Sequence, residues 1–270
     1  MKSGFVLGLV WLAAVSAAAP ARADDAPQDS SQASSQAGSQ AASQDAHKVC
    51  DVPGTLLTTD SQLAKVADAV KAGRPLDILV VGSRSSTIPG SEASAYPARL
   101  QAILKEALAP VAVNISLEIQ PKKTAQEIAG SLVKLVEAKR PTLVIWQTGT
   151  VDALKSIDPD DFRNAVDEGI AALQNAGTDV ILMNPQYSPR TETMISVPPY
   201  ADNMRAVAQA HDIPLFDRFA IMHQWNDEGD FDLFSAAHGI DLATRVHECL
   251  GRALAKFVID AAHLGPPQQN

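Results

Sequence analysis

Short apolar runs alternate along the chain with longer stretches in which apolar positions recur every three or four residues. The short runs are rich in Val, Ile and Leu, as expected for strands buried on both faces, and the longer stretches fit amphipathic helices. This alternation is typical of a parallel sheet covered by helices on both sides. The sequence therefore predicts a three-layer α/β/α sandwich whose five strands span residues 76–82, 111–119, 143–147, 179–183 and 213–216.

Capping signals support the helices of this pattern. Thr124 and Glu127 have the spacing of a capping box, and Pro97 has the position of a first-turn proline. Asp158 followed by Pro159 is a typical helix start. Further helices are expected over residues 59–73, 199–211 and 242–262.

The N-terminal residues have a different composition from the rest of the chain. Residues 1–23 combine Lys2, an apolar run over 5–19 and a small-x-small site ending at Ala23, which predicts a signal peptide cleaved near Ala23. The run is short of the roughly 20 residues that span a bilayer, and Pro20 interrupts it. Residues 24–47 are rich in Ser, Gln and Ala and predict a disordered tether, followed by one domain over 48–265.

The overall charge argues against two classes of partner. The chain has a formal net charge of -9, and Lys2 and Arg22 fall in the predicted signal peptide. No basic cluster with interleaved aromatic residues is present, so neither nucleic acid nor an anionic membrane surface is an expected partner. No segment of the mature chain is predicted to span a membrane, and the expected partner is a small-molecule or glycan ligand, with no particular protein partner predicted.

Cys50 and Cys249 are the two cysteines of the chain and lie at opposite ends of the predicted domain. An exported protein meets an oxidising compartment, where cysteines tend to pair. We therefore predict a disulfide between them, with two separate buried thiols as the alternative.

Ligands of parallel sheets bind in the crevice beyond the carboxyl ends of the strands, so functional side chains are expected in the loops there. After the first strand the chain reads Gly-Ser-Arg-Ser-Ser-Thr over residues 82–87, with Tyr-Pro at 96–97. After the third strand it reads Trp-Gln-Thr-Gly-Thr-Val-Asp over 146–152. Near the chain end, His238 and Asp241 lie three residues apart ahead of the last helix.

These motifs resemble those of the SGNH/GDSL hydrolases, and of their secreted bacterial branch in particular, over residues 76–254. The resemblance implies an SGNH-hydrolase fold and a serine esterase acting on carboxyl or carbohydrate esters. In the branch, Gly-Ser-Ser-Ser-Thr follows the first strand and carries the nucleophile. Aligned without a gap, the nucleophile position falls on Arg84; with one inserted residue, it falls on Ser85. A serine-rich turn without chemistry is the alternative.

Other parts of the family's catalytic set are altered in this chain. The family places an Asn that stabilises the oxyanion where Val151 stands here, and an isopropyl group donates no hydrogen bond. The second loop, 119–124, lacks the family's glycine, and Pro121 has no N–H to donate. The family's final Asp-x-x-His is exchanged, with His238 in the Asp position and Asp241 in the His position. His238 could also be a loop histidine without a catalytic role.

We expect the predicted site residues to converge on one crevice. Ser85, His238 and Asp241 are the catalytic candidates; the oxyanion or pocket candidates are Ser83, Arg84, Gln147, Gly149, Val151, Asp152 and Tyr187. His223 and His247 are interpreted as helix-surface or core residues. The sequence gives no support for a metal site or a nucleotide cofactor, because it lacks paired Cys or His spacing, a Walker sequence and a Gly-x-Gly-x-x-Gly turn.

Three functional hypotheses remain open from the sequence. The first is a periplasmic protein with a degenerate hydrolase site that binds a carbohydrate or acyl ligand, with little or no ester hydrolysis. The second is an active esterase with Ser85 as nucleophile and His238 as base. The third is an anion-binding module in which Arg84, beside Ser83, Ser85 and Ser86, binds a phosphate, sulfate or carboxylate.

Overall fold

A parallel sheet in the order β2-β1-β3-β4-β5 forms the centre of the molecule. The computed structural model describes residues 50–234 and 239–265, so the predicted signal peptide and tether lie outside the described residues. All pairings between neighbouring strands are parallel. The strands are β1 Leu76–Gly82, β2 Val113–Ile119, β3 Leu143–Gln147, β4 Asp179–Met183 and β5 Leu215–Phe216. The predicted α/β sandwich with five parallel strands is confirmed.

Two strands begin two residues later than predicted. Before β2, the N–H of Val111 donates to the carbonyl of Leu108 at 2.8 Å, so a turn holds this residue away from the sheet. Before β5, Pro214 has no N–H with which to join a strand ladder. Both differences have a local backbone cause and leave the predicted topology unchanged.

Helices cover both faces of the sheet. On one face, α2, α3, α9 and α10 pack against Leu76, Ile78 and Val80 of β1; on the other, α4, α6 and α8 pack against Leu79 and Val81. The α-helices are α1 Gly54–Leu57, α2 Ala64–Lys71, α3 Tyr96–Ala107, α4 Ala125–Lys139, α5 Thr150–Leu154, α6 Pro159–Asn175, α7 Pro189–Glu192, α8 Pro198–Ala210, α9 Arg218–Asp227 and α10 Gly239–Ala261. None of them, within the described residues, is long and apolar enough to cross a bilayer.

The predicted capping signals at α4 and α6 are present. Thr124 and Glu127 cap α4 reciprocally, and the side chain of Asp158 accepts from the N–H of Asp160 at the start of α6. The prediction for α2 was wrong at its start, which is Ala64 and not residue 59 or 60. The cap comes from a distant residue: Asp179 Oδ2 accepts from the N–H of Lys65 at 2.8 Å and of Val66 at 3.0 Å.

Cys50 and Cys249 form a disulfide, as predicted. Their Cα atoms are 5.1 Å apart, within the usual range for a bridge. The bond joins Cys50, ahead of α1, to α10, which packs against α3 on the same face of the sheet. Gly251 permits this packing, because a Cβ there would lie only 2.6 Å from Arg99 Cβ.

Candidate active site at the carboxyl edge of the sheet

The serine-rich turn after β1 forms a single turn of 3₁₀ helix, Arg84–Ser86. Ser83 caps it by accepting from the N–H of Ser85 at 3.3 Å. Ser86 is buried, Ser83 and Ser85 are half-buried, and Arg84 is exposed. A Cβ at Gly82 would collide with the Ser86 side chain, so this position needs glycine for the turn to close. The turn therefore presents Ser83 and Ser85 at the sheet edge and directs Arg84 to solvent.

Ser85 Oγ lies among three polar groups. Gln147 Nε2, at the end of β3, donates to Ser85 Oγ at 2.8 Å and to Ser83 Oγ at 3.0 Å. Arg218 Nη1 donates to Ser85 Oγ at 3.2 Å, and the two serine oxygens are 3.1 Å apart. Since a hydroxyl oxygen has two lone pairs, these two donors occupy both of them. Ser85 Oγ therefore has no lone pair left to accept from a further donor.

A buried chain of hydrogen bonds fixes the orientation of the Gln147 amide. The hydroxyl of Tyr96 donates to Ser86 Oγ at 3.1 Å, and Ser86 Oγ donates to Gln147 Oε1 at 2.5 Å. Because Gln147 Oε1 accepts the hydrogen bond from Ser86, Nε2 of the same amide must face Ser83 and Ser85. Burial raises the pKa of Tyr96, so its hydroxyl keeps the proton that it donates.

Arg218 is the first residue of α9 and is 1% exposed. Its Nη2 donates to the carbonyl oxygen of Ser85 at 3.2 Å and to Gln186 Oε1 at 3.0 Å, and its Cζ lies 5.8 Å from the Tyr96 ring centre. Burial lowers the pKa of Arg218 to about 10, which leaves the guanidinium charged at neutral pH. None of the ion pairs among the described residues includes it.

His247 lies beneath the same cluster and is not placed to act as a base on Ser85. Its Nδ1 accepts from the N–H of Tyr96 at 3.0 Å. Burial, assisted by the positive charge of Arg218, lowers the pKa of His247 to about 3. The ring is therefore neutral, and Nδ1 is committed to the start of α3. His223, by contrast, is half exposed and pairs with Asp227.

Asp152 acts on the backbone of a neighbouring helix. It is 1% exposed, and its Oδ1 accepts from the N–H of Ala125, the first residue of α4, at 2.9 Å. Burial raises the pKa of Asp152, and the Ala125 hydrogen bond opposes that rise. Gly149, just ahead, has a left-handed backbone with φ of 98°, and a Cβ there would meet Pro185 Cγ at 2.9 Å.

The cavity beside Ser83 and Gln147 is very small. Its volume is about 10 Å³, close to the minimum that admits a single water molecule. The cavity is lined by Ser83, Gln120, Lys123, Ile128, Gln147, Thr148, Gly149, Thr150 and Val151. In the second loop, next to the lining residue Lys123, Lys122 has φ of 62° and so takes up the left-handed conformation without being a glycine.

The remaining candidates are not all brought to Ser85. His238 lies outside the described residues, so its relation to Ser85 stays a prediction. Asp241 is exposed in the first turn of α10 and lines a separate cavity of about 230 Å³ together with Arg245. Tyr187 packs its ring on Phe219 and His223, with centroids 5.5 Å and 4.5 Å away.

Arg218 and Gln186 were not among the site residues predicted from the sequence. Gln186 lies in the loop after β4, and Arg218 lies two residues after β5, so both obey the rule that ligand-facing residues follow the strands. Tyr187 was chosen where its neighbour Gln186 is the residue that reaches Arg218. Among residues 50–234 and 239–265, no group of three His, Cys, Asp or Glu side chains is arranged to hold a metal ion.

Solved structures with this fold include several hydrolases. Axe2, an acetylxylan esterase from Geobacillus stearothermophilus seen as a catalytic mutant, is 15% identical with a TM-score of 0.56 over 68% of this chain and 94% of Axe2. LAE5, an alpha/beta hydrolase from the metagenome of Lake Arreo, Spain, is 17% identical with a TM-score of 0.54 over 69% of this chain and 98% of LAE5.

TesA is 20% identical, with a TM-score of 0.52 over 66% of this chain and 97% of TesA. At these identities the three structures share the fold with this chain. No curated protein matches it in sequence. The model of the Non-GDSL lipase-like family matches residues 49–264, which is most of the chain. The chain therefore belongs to the Non-GDSL lipase-like family, within the SGNH/GDSL type of hydrolase fold.

Proposed function

We propose that this chain is an exported protein on a hydrolase scaffold that binds a carbohydrate or acyl ligand, with little or no ester hydrolysis. The observation that carries the proposal is the environment of Ser85 Oγ. Gln147 Nε2 and Arg218 Nη1 both donate to it, and no base of the described residues contacts it. A nucleophilic serine needs a free lone pair for attack and an acceptor base for its proton.

The oxyanion side of the site supports the same proposal. Val151 stands at the family's Asn position, and removing one oxyanion donor costs on the order of 3 kcal/mol of transition-state stabilisation. The second loop keeps a left-handed turn at Lys122, although the family's glycine is absent. Stabilisation of a tetrahedral intermediate is therefore expected to be weak even if Ser85 attacks.

The first experiment measures hydrolysis of p-nitrophenyl acetate by the purified chain and by Ser85→Ala. We expect the two rates to be equal and near the uncatalysed rate. The matched gain-of-function variant combines Val151→Asn, His238→Asp and Asp241→His, and it is expected to raise the rate if Ser85 occupies the nucleophile position. A wild-type rate typical of esterases that Ser85→Ala and His238→Ala both abolish would reject this proposal.

That rejecting outcome would support the second candidate function, an esterase with Ser85 as nucleophile and His238 as base. One observation favours it: the Arg218 guanidinium at 3.2 Å would stabilise negative charge on Ser85 Oγ. Carboxyl or carbohydrate esters would be its substrates, and the structurally similar Axe2 is an acetylxylan esterase.

Export to the periplasm belongs to the same proposal. The predicted signal over residues 1–23 motivates it, and the disulfide between Cys50 and Cys249 is compatible with an oxidising compartment. The intact mass of the protein recovered from a periplasmic fraction should correspond to a chain starting near residue 24. A mass that retains residues 1–23 would contradict export by cleavage.

A further inference from the structure

We propose that Arg218 anchors an anion subsite in this crevice and that the ligand carries a carboxylate group. The inference rests on the proposed binding function and deepens it by naming the chemical class of the ligand. It assigns the anion to Arg218, a residue without a predicted role, and not to Arg84, which is exposed.

Arg218 has no counter-charge in the part of the chain that the structure describes. A buried cation is costly unless an anion or a dense set of hydrogen bonds compensates it. Arg218 is 1% exposed, and its Nε has no hydrogen-bond partner among residues 50–234 and 239–265. Its acidic neighbour Asp217 is committed elsewhere, since Oδ2 accepts from Arg205 Nε at 2.6 Å and Oδ1 from the Ala220 N–H at 2.9 Å.

Neutral oxygen atoms contact Arg218 where a counter-ion would be expected. The partners of the two Nη atoms are neutral oxygens: Ser85 Oγ, the Ser85 carbonyl and Gln186 Oε1, at 3.0 to 3.2 Å. Bonds from guanidinium to a carboxylate are typically shorter, about 2.7 to 2.9 Å. The guanidinium is therefore held by weak neutral acceptors that a charged oxygen would replace favourably.

The Gln186 amide that contacts Arg218 indicates that the ligand group is a carboxylate. Gln186 Oε1 is an amide oxygen on a half-buried side chain, and a carboxylate oxygen has the same planar geometry and size. A ligand carboxylate that displaces Gln186 would meet Arg218 Nη2, while the hydroxyls of Ser83 and Ser85 can turn their protons toward the second oxygen. Lys123 lines the small cavity beside Ser83 and Gln147 and adds positive charge there.

Two sources of carboxylate fit this chemistry, an acidic sugar and a short acyl chain. We would titrate the purified chain with glucuronate against glucose, and with butyrate against butyramide, by calorimetry at constant ionic strength. Each anion is expected to bind at least about tenfold more tightly than its neutral partner, the scale of one charged hydrogen bond. Whichever pair shows the larger preference identifies the source.

Three variants test the assignment to Arg218. Arg218→Gln should abolish the preference for the anion, whereas Arg163→Gln, on the exposed face of α6, should leave it unchanged. Gln186→Ala removes the competing oxygen and should tighten anion binding. Gln186→Ala keeps the buried Arg218 cation, so it tests the inference even if Arg218→Gln fails to fold.

Several results would overturn the inference. These are equal binding of the charged and neutral ligands, a preference that persists in folded Arg218→Gln, weaker anion binding by Gln186→Ala, a preference lost in Arg84→Gln alone, or inorganic phosphate binding more tightly than either carboxylate. Titration with a neutral acetylated xylo-oligosaccharide separates the two proposals. If it binds and the carboxylates show no preference, only the inference fails; if no ligand binds, the proposed function fails as well.

Discussion

The pKa of the buried His247 side chain depends on its burial and on the charge of neighbouring Arg218. It accepts a hydrogen bond from the N–H of Tyr96, so its neutral form is the one that fits the folded state. Protonation would place a second positive charge near Arg218, and the pKa of His247 is lowered to about 3 by burial and by that charge. In the unfolded chain the same group titrates near its ordinary value of about 6.5.

This difference predicts how stability depends on pH. Above about pH 6.5 the stabilisation from neutral His247 is fully present, and it is lost as the pH falls toward 3, because the unfolded chain takes up the proton first. Between pH 7 and 4.5, the free energy of unfolding measured with urea should decrease in both proteins. The decrease should be smaller in His247→Gln than in the wild type, by up to about 2.5 kcal/mol. His263→Gln, at an exposed position, is the control. An equal decrease in the free energy of unfolding of His247→Gln and of the wild type would contradict the lowered pKa of His247.

At the scale of elements, local patterns predicted most of the fold, and a remote contact accounted for the wrong start of α2. The apolar runs of β1, β3 and β4 and the caps at Thr124 and Asp158 are local, and they were located correctly. The start of α2 depends on Asp179, over a hundred positions further along the chain, so no local pattern contains it.

The candidate site divides in the same way. The serine turn and Gln147 follow their strands and were predicted from the sequence, and the structure brings them together. Arg218 was missed because a charged residue after a short strand has no distinguishing local pattern. It is buried, and the groups it contacts, Ser85, Gln186 and the Tyr96 ring, are remote from it in the sequence.

The remote cap at α2 gives an element-scale prediction. Asp179→Ala leaves the N–H groups of Lys65 and Val66 without their acceptor, and the loss of a capping side chain typically costs about 1 to 2 kcal/mol. Urea unfolding should show this decrease in the free energy of unfolding. Asp68→Ala, on the exposed side of α2, should change it by less than about 0.5 kcal/mol. If both variants are equally stable, Asp179 does not cap the helix.

For the whole molecule, the disulfide is the longest-range covalent constraint. Cys50 and Cys249 are separated by 199 positions, and beside this bond Trp225 Nε1 donates to the carbonyl of Asp51 at 2.9 Å. The chain-entropy estimate for closing a loop of this length is about 5 kcal/mol, before any strain is subtracted. Loss of the bond should therefore lower stability strongly while leaving the sheet and its topology in place.

The double variant Cys50→Ser with Cys249→Ser tests this at neutral pH. We expect a decrease of about 2 to 5 kcal/mol in the free energy of unfolding, measured with urea, and an unchanged far-ultraviolet circular dichroism spectrum at low denaturant. Wild-type protein treated with a reductant should match the double variant. A variant as stable as the oxidised wild type would mean that the bond adds nothing to folding.

The position of this bond also determines what a protease can accomplish. Every strand of the sheet lies between Cys50 and Cys249, so the bond and the backbone together form a closed covalent ring around the whole sheet. Cutting any one peptide bond within that ring opens it without releasing a fragment, since the two pieces remain joined through sulfur. The serine turn and the Arg218 helix would then stay on a single covalent molecule after a first cleavage, and only reduction or a second cut would separate them.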